Sequence, residues 1–130
     1  MRIERHYTTA GNSPFASVPM RKATSEIKNP DGSIVFKLED ILVPEQFSQV
    51  ASDIIAQKYF RKAGVPAALK KVEENSVPSF LWKSVEDKAA MKKLPEEERY
   101  GPEMTAEQVF RRLAGTWTYW GWKGGYFDSE

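Results

Sequence analysis

Cysteine is absent from the 130-residue chain. That excludes a disulfide framework, a thiolate metal site, a cysteine nucleophile and any radical chemistry carried on a thiol within these residues. Histidine is nearly absent: one copy, His6, stands near the start. A one-signed charge is missing too, since 19 Lys+Arg against 18 Asp+Glu leave a formal +1. No global field therefore draws the chain toward nucleic acid or an anionic membrane. Nor does any window approach the ~20 apolar residues that span a bilayer, and the first residues contain no apolar run of the signal-peptide kind. These absences lead to the expectation of a soluble, cytoplasmic protein. No phosphate loop and no Gly-x-Ser-x-Gly elbow occurs, so an independent hydrolase finds no support.

What the chain does hold is 41% hydrophobic residues and, over the whole chain, 12% aromatic ones, enough for one modest core. Residues 1–21 mix turn formers with single apolar residues and read as an extended arm. From position 1 to 28 the basic residues Arg2, Arg5, Arg21, Lys22 and Lys28 outnumber the acidic Glu4 and Glu26. Such an arm suits docking on neighbouring protein, or contact with phosphate.

The turn signal Asn29-Pro30-Asp31-Gly32 predicts a hairpin, because proline presets a backbone angle and glycine accepts the left-handed conformation. Ile34, Phe36 and Leu38 then share one face by the period of two. Pro44 is expected to open a helix ending at Gly64, with Phe47, Val50, Ala51, Ile54, Ile55 and Tyr59 as its buried stripe. Shorter helices are expected at 67–74 and 84–94, with 77–82 as a connector that pins itself with aromatics. The acidic run 95–102 reads as a surface loop or single turn rather than a metal site, since three consecutive carboxylates cannot converge on one ion from one turn. Thr105-Ala106-Glu107-Gln108 is a capping box that starts another helix, with Met104 and Val109 spaced as a hydrophobic staple. Its stripe is Val109, Phe110, Leu113, Ala114 and Trp117.

Six aromatics crowd into residues 117–127. Interleaved with lysine and glycine, they could stack on bases or sugars. The reading preferred over stacking is that they form core or interface surface, with the glycines admitting a neighbouring backbone. Asp128, Ser129 and Glu130 have the chemistry of a helix start, and the chain is expected to be the front end of something larger.

Three segments carry a resemblance: Thr24 through Phe36, Ala56 through Pro66, and Thr116 through Glu130. Together they resemble the N-terminal region of the adenosylcobalamin (vitamin B12)-dependent, class II ribonucleotide reductases. Lys58-Tyr59-Phe60 and Phe110-Arg111-Arg112-Leu113-Ala114 resemble two elements that precede the catalytic barrel in the wider reductase family, with a longer insertion between them. The resemblance implies a mainly α fold with one small hairpin, with residues 22–130 forming a single helical lead-in module that packs against a downstream α/β barrel. It also implies a ribonucleotide substrate, a thiol reductant and adenosylcobalamin for the whole enzyme; a homodimer is compatible with it. The family's chemistry runs on cysteines. Hence no catalytic, cofactor-binding or metal-binding residue is assigned here, and the segment alone is expected to be inactive. The alternative from a different class is a stand-alone module that stacks nucleotide or single-stranded nucleic acid on Trp117, Trp120, Trp122 and Tyr126.

Overall fold

A computed structural model describes residues 1–130. In chain order it contains β1 (Met20–Lys28), β2 (Ile34–Pro44), α1 (Gln49–Ile54) running into a π turn (Ile55–Tyr59), β3 (Val65–Pro66), β4 (Leu69–Lys71), β5 (Ser84–Glu86), α2 (Lys88–Met91), β6 (Tyr100–Gly101) and α3 (Ala106–Lys123), with 3-10 turns at Ser79–Leu81 and Glu96–Glu98. The strands form three two-stranded antiparallel pairs, β1 with β2, β3 with β6, and β4 with β5. Helix accounts for 30% of residues and strand for 24%. The expectation of a mainly α fold is therefore wrong; α+β describes the balance. No helix is long and apolar enough to cross a membrane.

The chain forms two compact units. The first comprises Glu4–Phe60 and Met104–Phe110; the second comprises Met1–Ile3, Arg61–Glu103 and Arg111–Glu130.

In the first unit the predicted turn is present. Gly32 sits at φ 87, its N–H donates to Asn29 O at 2.9 Å, and Asn29 N donates to Ser33 O at 2.8 Å. The strands run from Lys28 opposite Ile34 out to Met20 opposite Pro44. Between Ala23↔Ile41 and Ser25↔Leu38 the register shifts by one residue on β2, a bulge centred on Asp40 at φ 56. Without it the alternation of Phe36 and Leu38 would carry Leu42 inward. With it Ile41 and Val43 are fully buried and Leu42 is exposed.

Pro44 does not open a helix. It ends β2, and the helix begins four residues later at Ser48, whose hydroxyl accepts from Ala51 N at 3.1 Å. A first turn needs an acceptor for its free N–H groups, and Ser48 offers one where Val43, preceding Pro44, cannot. The expected stripe is also out of phase. Ser52, Ile55, Ala56 and Phe60 are buried, whereas Val50, Ile54 and Tyr59 are exposed.

Two causes are visible. The face toward β1 is held by polar contacts: Arg21 Nη2 donates to Phe47 O at 2.6 Å and Ser52 Oγ at 3.2 Å, Ser25 Oγ to Asp53 at 2.7 Å, and Gln57 to Ser25 Oγ at 3.1 Å. The π turn, closed by Phe60 N to Ile55 O at 3.0 Å, then adds a residue and brings Phe60 rather than Tyr59 inward.

In the second unit the short helix expected at 67–74 is absent and the one expected at 84–94 is reduced to a single turn. Residues 67–74 supply β4, whose Leu69, Lys70 and Lys71 face Glu86, Val85 and Ser84 of β5. The run 84–94 is strand first, and only α2 remains helical, capped by Asp87 accepting from Ala89 N and Ala90 N. Segments this short are too costly to nucleate as helix unless packing rewards them, and cross-chain pairing satisfies their backbone instead. The connector behaves as expected at Trp82, whose indole donates to Val77 O at 2.9 Å over buried Val77 and Leu81. Glu96–Glu98 make a single exposed turn, as the acidic run implied.

Candidate functional site

The capping box launches α3 as expected. Gln108 N donates to Thr105 Oγ1 at 3.1 Å, while Gln108 Oε1 accepts from Thr105 N at 3.0 Å and Met104 N at 2.8 Å. Ala106 and Val109 are buried on its first turns. Further along, within the second unit, the helix presents two chemically different faces.

One face is polar and engaged. Arg112 donates to the Glu103 carboxylate at 2.8 and 3.2 Å, and Glu103, only 4% exposed, also accepts from Arg61 N at 2.7 Å. Two turns on, the Tyr119 hydroxyl donates to Glu74 at 2.8 Å, Lys123 Nζ donates to the same carboxylate at 2.8 Å, and the Trp122 indole donates to Ser76 O at 2.8 Å. Lys123 first and Tyr119 second hold the Glu74 carboxyl below its ordinary range. The same carboxylate pushes both Tyr119 and Lys123 above theirs. Each group satisfies the others, so the cluster is a clamp on the loop around Ser76, which sits at φ 65. It offers neither a free base nor a nucleophile. A second phenol–carboxylate pair, Tyr100 with Glu86, ties β6 to β5 and raises the Tyr100 pKa.

The other face is apolar and open. Trp117 is 62% exposed and Trp120 63%. The crowded aromatics thus divide: Tyr119 and Trp122 are hydrogen-bonded inward, and the Phe127 ring lies 2.6 Å from where a Cβ on Gly121 would stand. Tyr126 lies similarly over Gly124. The four residues named for stacking do not make one platform, because Trp122 is bound to Ser76 and only Trp117 and Trp120 share the open face.

Elsewhere the residues offer little chemistry. His6 is exposed in the arm, edge-on to Tyr7 with centroids 4.6 Å apart. No three His, Asp or Glu side chains converge to hold a metal ion. In the first unit a groove of about 290 Å³ is lined mainly by apolar residues, among them Phe15, Val18, Met20, Phe47 and Phe110, with Gln46 and Glu107 as its polar residues. It suits an apolar side chain and lacks the convergent polar groups of a ligand site.

Of the two elements compared with those that precede the barrel in the wider reductase family, Lys58-Tyr59-Phe60 contributes the buried Phe60 and an exposed Tyr59, and Phe110 through Ala114 contributes Arg112, bonded to Glu103. Glu103 and Glu74 were not anticipated. Their partners lie up to 42 and 49 residues away, and no local spacing signals them.

Comparison with known proteins assigns these features a context. Residues 21–130 match the family model of the class II vitamin B12-dependent ribonucleotide reductases. The chain is 70% identical over its whole length to a vitamin B12-dependent ribonucleotide reductase of Agrobacterium fabrum and 67% identical to one of Bradyrhizobium diazoefficiens, covering 10% of each. A reductase of the same name from Streptomyces coelicolor is 33% identical over 85 residues, 62% of this chain and 9% of that protein. The chain thus spans about a tenth of the length of the relatives it matches.

Proposed function

The chain belongs to the class II vitamin B12-dependent ribonucleotide reductases, as their N-terminal region, and from that premise we propose that it is the structural lead-in of an enzyme reducing ribonucleotides to 2′-deoxyribonucleotides for DNA synthesis. Residues 22–130 form the module and residues 1–21 its arm, whose last two residues, Met20 and Arg21, already run into β1, and the catalytic barrel follows in the same polypeptide. The enzyme works in the cytoplasm with a thiol reductant. The observation that carries this reading is 70% identity across the whole chain to a reductase ten times its length, together with the absence of any cysteine. Thiol chemistry must then reside outside these residues.

Adenosylcobalamin, when bound by the whole enzyme, supplies the radical that starts the reaction. The residues here do not fit that cofactor. The single imidazole is exposed in the arm, and the groove of about 290 Å³ is too small for a corrin ring and offers only Gln46 and Glu107 to its many amide side chains. No step of the reaction is therefore assigned to a residue of this chain. Its contribution is to fold, and to present a surface to the rest of the enzyme.

Two measurements test the proposal. An antibody raised to this segment should detect a cellular product far larger than 14.8 kDa. Full-length protein given ribonucleotide, adenosylcobalamin and a dithiol should yield deoxyribonucleotide, and the 130-residue chain should yield none. Turnover by the short chain would overturn the argument from absent thiols.

A further inference from the structure

The two faces of α3 have opposite fates. On the polar face every functional group is used: Arg112 on Glu103, Tyr119 and Lys123 on Glu74, Trp122 on Ser76. On the opposite face, Leu113, Ala114, Trp117, Trp120 and Gly121 follow one another at helical spacing without a charge among them. Thr116 and Thr118 turn their hydroxyls back onto the helix carbonyls of Arg112 and Ala114 at 2.7 Å each. Trp117 and Trp120, one turn apart, remain 62% and 63% exposed.

Two exposed tryptophans side by side on a folded helix are unusual for a surface facing water, and they match the composition of a buried interface centre, where charge is depleted and tryptophan enriched. Resting on the function proposed above, we propose that Trp117 and Trp120 are the anchors by which this module docks onto the catalytic portion of its own polypeptide.

Three considerations select that occupant. A stable complex between separate copies needs about 800 Å² per partner, and two indoles supply at most about 500 Å², which falls short. A tethered partner needs less area, since the linkage makes docking intramolecular and raises its effective concentration to the millimolar range. The relatives carry nine times more polypeptide than is present here, all of it tethered. Nucleic acid is disfavoured, because stacking platforms for it are accompanied by cations that track the backbone, and the cations of α3 nearest this face, Arg112 and Lys123, are already paired with Glu103 and Glu74.

The experiment uses the full-length reductase. Hydroxyl-radical footprinting, normalised to intrinsic reactivity, should find Trp117 and Trp120 as protected as the buried Phe60, while Tyr7, 92% exposed, reacts freely. A benzophenone side chain placed at position 120 should crosslink to a downstream segment of the same polypeptide. Oxidation of both tryptophans at the rate of Tyr7, crosslinking between two copies, or crosslinking to nucleic acid would each overturn the proposal. Ribonucleotide turnover is measured on the same preparation. A protein that turns over while both tryptophans react freely refutes the docking alone, and one that protects them without any reductase activity refutes the functional reading alone.

Discussion

Replacing Glu103 with alanine removes one carboxylate that serves two partners. Glu103 is 4% exposed and accepts both from the Arg112 guanidinium and from Arg61 N–H, while the Arg112 side chain is 25% exposed. Breaking a buried ion pair from one side costs about 3–5 kcal/mol. Water reaching Arg112 places this case at the lower end, about 3 kcal/mol. Unfolding entropy of about 2.1 cal/mol/K per residue gives roughly 270 cal/mol/K for the chain, so Tm should fall by about 11 °C. Glu103→Gln keeps an acceptor for Arg61 N–H and loses only the charge, so about half that loss is expected. Thermal unfolding of the 130-residue chain by circular dichroism reads both values, and a double-mutant cycle with Arg112→Met isolates the pair. A shift under about 3 °C for Glu103→Ala, or an equal cost in the Arg112→Met background, would refute the assignment of Glu103 as the tie between Arg61 and α3.

Thr105→Ala should lower stability by about 1 kcal/mol through loss of the cap on α3, read as a lower urea midpoint with an unchanged slope. Gly32→Ala forces a side chain into positive φ in the hairpin turn and should cost about 1 kcal/mol, read in the same titration. Glu74 has a folded pKa below its unfolded value of 4.5, so its contribution is present above about pH 4.5 and is lost as pH falls through the folded pKa; Glu74→Gln should abolish that part of the acid response in Trp122 fluorescence. Tyr100 and Tyr119 have folded pKa values raised above 10.0 by Glu86 and Glu74. Their contribution is present below pH 10.0 and is lost as pH rises through the folded values. Phenolate absorbance should therefore show two late-ionising tyrosines, one of which returns to the ordinary range in Glu86→Gln.

What was legible in the sequence shares one property: both halves of each interaction lie within a few residues. The turn at Asn29 through Gly32, the Thr105–Gln108 capping box, the Trp82 pin and the single turn of Glu96–Glu98 are all closed locally, so residue type and spacing suffice to predict them. The resemblance of three segments to a reductase family was legible for another reason, because the identity of consecutive residues does not depend on knowing where they fold.

Tertiary structure decided whatever needed a distant partner. Residues 67–74 and 84–94 have tolerable helical sequences, and only the pairing of Leu69–Lys71 with Ser84–Glu86 made strands there, leaving Lys88–Met91 helical. The phase of α1 was set by Arg21, Ser25 and a π turn, against the apolar pattern that pointed to Val50, Ile54 and Tyr59. Of the aromatics in 117–127, composition could say only that they were many. Tyr119 and Trp122 turn inward because Glu74 and Ser76, more than 40 residues upstream, offer acceptors; Trp117 and Trp120, on the opposite side of the same helix, meet no such partner in the chain and stay open to one outside it.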